Sequence, residues 1–558
     1  MGLERKAVLR AAPAHTAHYE RRRPEQTILH CLVREHLETF LAEVEARTGT
    51  GLPAFVKDEF EAFLECGILA HGFLRVRCAD CAHEKLVAFS CKRRGFCPSC
   101  GARRMAESAA HLVDEVIPRV PVRQWVLSFP IPLRILFAAH PELLAPVLRI
   151  IHRVIAGFLL KQAGLKRAIA NAGAVTLIQR FGSAANLNIH LHCLVLDGVY
   201  RRTGGEPVFQ EVCAPSRDEL AGLLDKIIAR LMKLLTRQGY LVEEQGMTYL
   251  ADMDADNPLA SLQAAACTYR IALGPRAGQK VLSLRTVPGR DKQATAGLCA
   301  DAHGFSLHAG VRCGAHQRKE LERLCRYITR PAIASERLKR DGAGNVVLQL
   351  KSPWRDGTTH IVMTPLEFMQ RLAALVPRPR LHLIRFHGVL APNAGLRAAI
   401  VPGPAKSEPA DEHAHGAPAR MSWARLLKRV FEFDLEHCPQ CGGEFRISAA
   451  IEEPAVIVSY ASPASSIRNA AIISIRTPPV SPGWSSHLPK SRLSPVSSIW
   501  HRVAIAEARI GRSFSRKGIG QSCGCAVWAT SIARNNRSSA GRRLGTFASI
   551  LRRASPAA

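Results

Sequence analysis

No uninterrupted apolar run of membrane-spanning length occurs in this sequence. The most apolar stretch, Val147 to Leu160, is broken by Arg149, His152 and Arg153 and falls short of the ~18 to 20 residues a span requires, so no membrane is expected as a partner. The first residues, MGLERKAVLR, lack an apolar core and predict no secretory leader. Seventeen cysteines would suit a disulfide scaffold, but an odd count in a long chain without a leader predicts a reducing, cytoplasmic setting. Acidic residues are scarce as well: 46 Asp and Glu stand against 76 Lys and Arg, for a formal net charge of +30 and a pI near 10.1. Such a surplus draws a polyanion through counterion release, which makes nucleic acid the expected partner. Convergent carboxylates are missing too. Asp197, Asp252, Asp254 and Glu320 form no compelling trio, which argues against two-metal chemistry built on three acids.

What is present divides the chain. At 558 residues it exceeds one ordinary core, and two to four domains are expected. Helical spacing of Ile28, Cys31, Leu32, Leu37, Phe40 and Leu41 predicts a helical region from Arg23 to Cys66, followed by a cysteine-dense basic segment. Further helices are predicted over Arg103–Ile117, Pro141–Ala163, Asp218–Gln238 and Gly314–Thr329, the last stopped by Pro331. Pro118, Pro121, Pro130 and Pro132 punctuate a short extended piece. β-like runs at Val175–Phe181 and Leu187–Val199, joined by Gly-Ser-Ala-Ala-Asn, predict an antiparallel hairpin, and Val346–Val362 a second pair of strands. Beyond Val456 the chain carries fifteen Lys or Arg and one acid, Glu507, without sustained periodicity. That composition predicts disorder, or translation in a frame never selected to fold, so its charge is discounted as a sign of function.

Cys78 and Cys81 form one CxxC pair and Cys97 and Cys100 another, with fifteen residues between. Each such knuckle presents two thiolates from a tight turn, so Cys78, Cys81, Cys97 and Cys100 are expected to hold a structural Zn²⁺. Cys91 and His83 lie in the loop as possible substitutes for one ligand. Lys92, Arg93, Arg94, Arg103 and Arg104 surround the module and suit phosphate contacts. Phe96 among them either stacks on a base or fills the small core, the second being favoured. Cys438 and Cys441 form a lone CxxC, a candidate for a second zinc with His437 and a partner from elsewhere, or a plain turn.

In Asn188-Ile189-His190-Leu191-His192-Cys193, strand alternation puts His190 and His192 on one face with Asn188, and Ile189, Leu191 and Cys193 on the other. Two imidazoles about 6.6 to 6.8 Å apart at Cα can converge on one metal ion. Gln179, Asn188, Glu320 and His308 are possible third ligands. Tyr327 lies on a basic helix with Arg323, Arg326 and Arg330. A tyrosine hydroxyl, with a pKa near 10, needs a polarised phosphate and nearby cations to act as a nucleophile; otherwise Tyr327 simply packs its helix. Tyr200, at the end of the predicted histidine strand, is poorly placed to compete.

The segments CKRRGFCPSCGARRM, QRFGSAANLNIHLHCLVLDGVY, LHAGVRCGAHQRKELERLCRYITRPAIA and, more weakly, HCPQCGG resemble the transposases of the common-region insertion sequences, relatives of the insertion-sequence-ninety-one class. The resemblance runs from about residue 24 to 457. It implies an HUH-nuclease fold, an antiparallel sheet flanked by helices, with His190 and His192 holding Mg²⁺ or Mn²⁺ and Tyr327 as the single nucleophile. The related class carries two tyrosines four apart, and position 323 here is Arg, which argues against two simultaneous covalent links. The implied activity is nicking of single-stranded DNA at element ends through a 5′-phosphotyrosine, driving rolling-circle transposition with indirect help from host replication.

The expected architecture is therefore α+β: a helical, zinc-ribbon domain at 24–117, an HUH-like nuclease domain at 118–400, a linker at 401–419, a helix and knuckle at 420–456, and a disordered or out-of-frame tail at 457–558. A protein that binds element ends through its zinc ribbon without cutting accounts equally well for the charge and the cysteines. It leaves the histidine strand and Tyr327 unexplained.

Overall fold

The computed structural model describes residues 23–202, 205–244, 247–250, 259–289, 297–402, 429–430 and 436–461. The tail from 462, the linker after 402 and residues 420–428 and 431–435 of the expected helix-and-knuckle segment lie outside them, as do Asp252 and Asp254. In chain order the elements that matter are α1 (Ile28–Thr48), α2 (Ala54–Glu65), β1 (Phe73–Cys78), β2 (Glu84–Ala88), α3 (Pro98–His111), β3 (Val122–Ser128), α4 (Ile131–Ala139), α5 (Leu144–Gln162), β4 (Gly173–Phe181) and β5 (Leu187–Leu196). They continue with α6 (Arg217–Arg237), α7 (Ala260–Cys267), β6 (Cys299–Ala302), β7 (Phe305–Cys313), α8 (Arg318–Thr329), α9 (Pro365–Leu375), β8 (Ile384–Gly388), β9 (Phe445–Ile451) and α10 (Pro454–Ala461).

The chain is α+β, with antiparallel sheets and flanking helices, and forms two units. Among the described residues, the larger comprises 25–66 and 90–402, and the smaller joins 67–89 to 429–430 and 436–461. The larger unit is built on a six-stranded sheet of order β6-β7-β3-β5-β4-β8, every neighbour antiparallel. The expected hairpin is its centre: β4 and β5 pair with Gln179 opposite His190 and Leu177 opposite His192. The proline-flanked extended piece is β3, a fully buried strand beside β5. β6 and β7 lie outside the strands expected from the sequence, although Phe305–Cys313 alternates apolar with polar or small residues throughout.

One face of this sheet, with Ile178, Ile189, Leu191, Cys193 and Leu307, packs into a large core with α1, α2, α4, α5, α6, α7 and α9. Leu177, Leu194, Leu196 and Cys313 on the opposite face pack against Ala109 of α3 and Leu321, Leu324, Cys325 and Ile328 of α8. Those four α8 residues recur at helical spacing, which is why this helix lies flat on the sheet and ends at Arg330-Pro331. α6 and α9 each begin with a complete capping box, Ser216 with Glu219 and Thr364 with Glu367.

The region of α5 corrects one expectation. Over Pro141–Gln162 it is helical, long and apolar enough to cross a membrane by length and composition, whereas the sequence had read as falling short. Its apolar side, including Val147, Ile151, Val154, Ile155 and Leu159, is buried in the core, while Arg149 and Arg153 are exposed. That is the pattern of a core helix.

Asp197, just past β5, is buried and receives a bidentate pair of bonds from Arg123 at 2.8 Å and a further one from Arg312 at 2.8 Å. Its oxygens serve this network. Asp197→Ala leaves the buried Arg123 uncompensated, and a loss of about 3 to 5 kcal/mol in urea unfolding is expected, with a smaller further loss on adding Arg123→Ala. Additive losses would show that the two residues act independently.

The smaller unit is a three-stranded antiparallel sheet, β9-β1-β2, closed by α10. Phe73, Ile451 and Ile457 form its core, with Tyr460 edge-on to Phe73 at 5.6 Å. α10 runs past residue 456, where composition had set the start of the tail.

Candidate functional site

Two four-thiol clusters occur among the described residues. The first is Cys66, at the end of α2, with Cys91, Cys97 and Cys100. Sulfur separations are 3.4 Å for Cys91 and Cys100, 3.6 Å for Cys66 and Cys100, and 3.7 Å for Cys66 and Cys97. Four thiolates around Zn²⁺ at about 2.3 Å each would stand about 3.8 Å apart, so the set fits the ion. Electrostatics agree: Cys66, Cys91 and Cys97 hold the Cys100 thiol far below its ordinary range, while Cys100 and then Cys66 drive Cys91 and Cys97 up. Four thiols in mutual contact cannot all ionise without a cation to balance them, and a structural zinc supplies it. Phe96 is fully buried against Phe60 and Phe63, as the packing alternative required.

The pairing expected from spacing alone is not formed. Cys97 and Cys100 join Cys66 and Cys91, whereas Cys78 and Cys81 lie with Cys438 and Cys441. His83, the other possible substitute, is not in either cluster; its ring faces Phe445 at 6.0 Å. Spacing identified knuckles correctly but carries no information on which knuckles meet.

The first cluster fixes the start of α3, since Cys97 is its N-cap and Cys100 sits in its first turn. α3 in turn packs on α8: a side chain at Gly101 would strike Pro331 at 2.6 Å, and Thr329 Oγ1 lies 3.5 Å from the Met105 carbonyl. The thiol cluster thus braces the helix that carries Tyr327.

His190 and His192 are almost fully buried on the α8 side of β5, their rings 4.9 Å apart between centroids. The alternation is as read from the sequence, with Ile189, Leu191 and Cys193 in the opposite core. Burial holds the His190 imidazole down to about 3, with Arg134 and Arg330 adding to the effect; burial also holds His192 well below its ordinary range, aided by His190 and Arg330. Both rings are neutral at physiological pH, the state that binds metal. Nδ1–H of His190 donates to the Asn188 carbonyl at 2.9 Å, which directs the lone pair to Nε2. The Gln124 amide meets His192 Nδ1 at 2.7 Å and orients the second ring. The donor set suits a divalent cation bound by two imidazoles beside side-chain amides.

Gln179 is the link between this strand and the tyrosine helix. Opposite His190 in register and buried, it donates from Nε2 to the carbonyl of Ile328, the residue after Tyr327, at 2.6 Å. Of the other candidate ligands, Asn188 is buried on the strand itself. His308 is buried on β7, opposite Val126, and Glu320 sits in the first turn of α8 while Tyr327 sits in the last.

Tyr327 lies between two cations. The guanidinium of Arg330 is 4.3 Å from its ring centroid and the ammonium of Lys351 is 4.2 Å away. Arg330 also donates to the Tyr327 carbonyl at 2.7 Å, and its charge bears on both imidazoles. Lys351 was not identified from sequence, because it approaches from a distant loop with no motif around it. Tyr200 is buried against Phe209, its hydroxyl pushed up to about 12 by burial. Among the remaining basic candidates, Arg104 donates to the carbonyls of Lys92 and Arg93, and Arg94 to that of Leu381. Those bonds shape the loop and leave Lys92 exposed. Arg103 and Arg326 are half-buried and Arg323 exposed.

Comparison with known families gives two matches. Residues 32–129 match the family described as "Transposase zinc-binding domain", of the IS91 type, and residues 173–397 match that described as "Putative transposase". The first span contains all four thiols of the α2–α3 cluster; the second contains His190, His192 and Tyr327. No curated protein and no solved structure matches the chain.

Proposed function

The chain is an IS91/ISCR-like transposase with an N-terminal zinc-binding domain, and from that premise we propose that it nicks single-stranded DNA at element ends with Tyr327 as nucleophile and a divalent metal held by His190 and His192. The observation that carries this reading is Gln179, which is in register with His190 and bonded to the backbone beside Tyr327. A side chain so placed fixes the distance between the imidazole strand and the phenol helix.

A bound Mg²⁺ or Mn²⁺ would polarise the scissile phosphodiester and offset charge on the leaving oxygen. Tyr327 attacks phosphorus in line; the bond to the 3′ oxygen breaks, leaving a 5′-phosphotyrosine and a 3′-hydroxyl open to extension by host polymerase. Arg330 and Lys351 counter the charge that builds on the phosphate. Arg323 and Arg326 on the same helix, with Lys92, Arg93, Arg94, Arg103 and Arg104 at the zinc module, hold the flanking DNA backbone. The covalent link conserves the bond energy for rejoining, which suits rolling-circle transposition in the cytoplasm at the nucleoid.

The test is incubation of the full chain with single-stranded oligonucleotides from the element's ends and Mg²⁺. A protein–DNA adduct on a denaturing gel, lost on chelation and in His190→Ala, is expected. Binding without cleavage under all metals would instead support a DNA-binding protein that does not cut. Gln179→Ala is expected to slow nicking by roughly 10²-fold, the scale of a misplacement of about 1 Å, with oligonucleotide affinity unchanged. Equal losses in both would assign Gln179 to binding.

A further inference from the structure

We propose that Cys78, Cys81, Cys438 and Cys441 hold a second structural Zn²⁺, in a split zinc ribbon whose two halves come from opposite parts of the chain. The matched families end at residues 129 and 397, so neither includes the second half. The four sulfurs lie within 4.8 Å of one another. Cys78 and Cys441 are 3.5 Å apart, as are Cys81 and Cys438, across sequence separations of 363 and 357 residues. These are tetrahedral thiolate spacings.

The backbone supplies independent support, because the two halves are built alike. In the first, Cys78 N–H donates to the His83 carbonyl at 2.8 Å; in the second, Cys438 N–H donates to the Gly443 carbonyl at 2.7 Å. The residue after the second cysteine has positive φ in both, Ala82 at 58° and Gly442 at 79°. Ala79 N–H donates to the Glu444 carbonyl at 3.0 Å and so joins the two turns directly. A Cβ at Gly443 would crowd the Asp80 carboxylate, so the second turn lies directly against the first. A non-glycine residue at positive φ, as at Ala82, is uncommon and needs a surrounding structure that enforces it.

β9 pairs with β1, and β1 leads into the first knuckle. The sheet and the metal therefore need both segments, and the unit cannot assemble until β9, which ends at Ile451, has been made. The small core, Phe73, Ile451 and Ile457, is the size that ordinarily depends on a metal or disulfide for stability.

Cys81 and Cys441 are exposed, which makes the assignment testable on the unaltered chain. In full-length protein carrying His190→Ala and His192→Ala, so that the proposed catalytic site adds no ion, metal analysis after zinc loading is expected to give two zinc ions per chain. Brief iodoacetamide treatment should modify the exposed Cys213 but spare Cys81 and Cys441, and a zinc chelator should open both to alkylation. Adding Cys81→Ser with Cys441→Ser should lower the content to one ion. Alkylation of Cys81 and Cys441 at the rate of Cys213 in zinc-loaded protein would overturn the proposal. So would protection that survives chelation, as a disulfide would give, or two ions retained after the cysteine substitutions.

Discussion

Tyr327→Phe is expected to abolish the covalent adduct with single-stranded DNA, lowering nicking by roughly three orders of magnitude or more, the scale of losing a covalent nucleophile. The substitution deletes one oxygen and leaves the aromatic ring between Arg330 and Lys351, so packing of α8 on the sheet is preserved. Melting temperature and oligonucleotide affinity should therefore match the parent chain. That combination separates chemistry from folding. Residual cleavage at the parent rate would remove Tyr327 from the reaction, and the buried Tyr200, its hydroxyl held near 12, is poorly suited to replace it.

The second large effect is expected at the α2–α3 thiol cluster. Cys97→Ser with Cys100→Ser removes two of four ligands, and structural zinc sites contribute apparent binding energies of about 10 to 16 kcal/mol in small modules. Here the cluster is set in a core with Phe60, Phe63 and Phe96, so part of the fold survives and a loss of several kcal/mol is expected in chemical denaturation. Because α3 leans on Pro331 through Gly101, nicking should fall together with stability even though no ligand touches Tyr327. Unchanged activity in a zinc-depleted variant would show that the brace is not needed for positioning.

The sequence was most informative where chemistry follows a local period. His190 and His192 share a face because strand side chains alternate, and α8 presents Leu321, Leu324, Cys325 and Ile328 because helical positions recur every three or four residues. The knuckles were legible as pairs for the same reason. Which pairs meet was not legible, since Cys66 and Cys91 are isolated cysteines and the partner of Cys81 lies 357 residues away. Lys351 and Gln124 reach the histidine and tyrosine groups through packing alone, which leaves no spacing to read. Asp197 shows the converse. It is a carboxylate beside the histidine strand, yet its buried bonds to Arg123 and Arg312 already occupy it.

The most direct test of the central claim, that one tyrosine and two imidazoles form a single cutting site, is to map the covalent attachment point. Full-length protein would be reacted with single-stranded end DNA and Mg²⁺, the DNA trimmed with nuclease, and the peptides sequenced by mass spectrometry. A nucleotide remnant on Tyr327 alone, absent when both histidines are replaced by alanine, is the expected result. A remnant on any other residue, or one on Tyr327 that persists without His190 and His192, would contradict it.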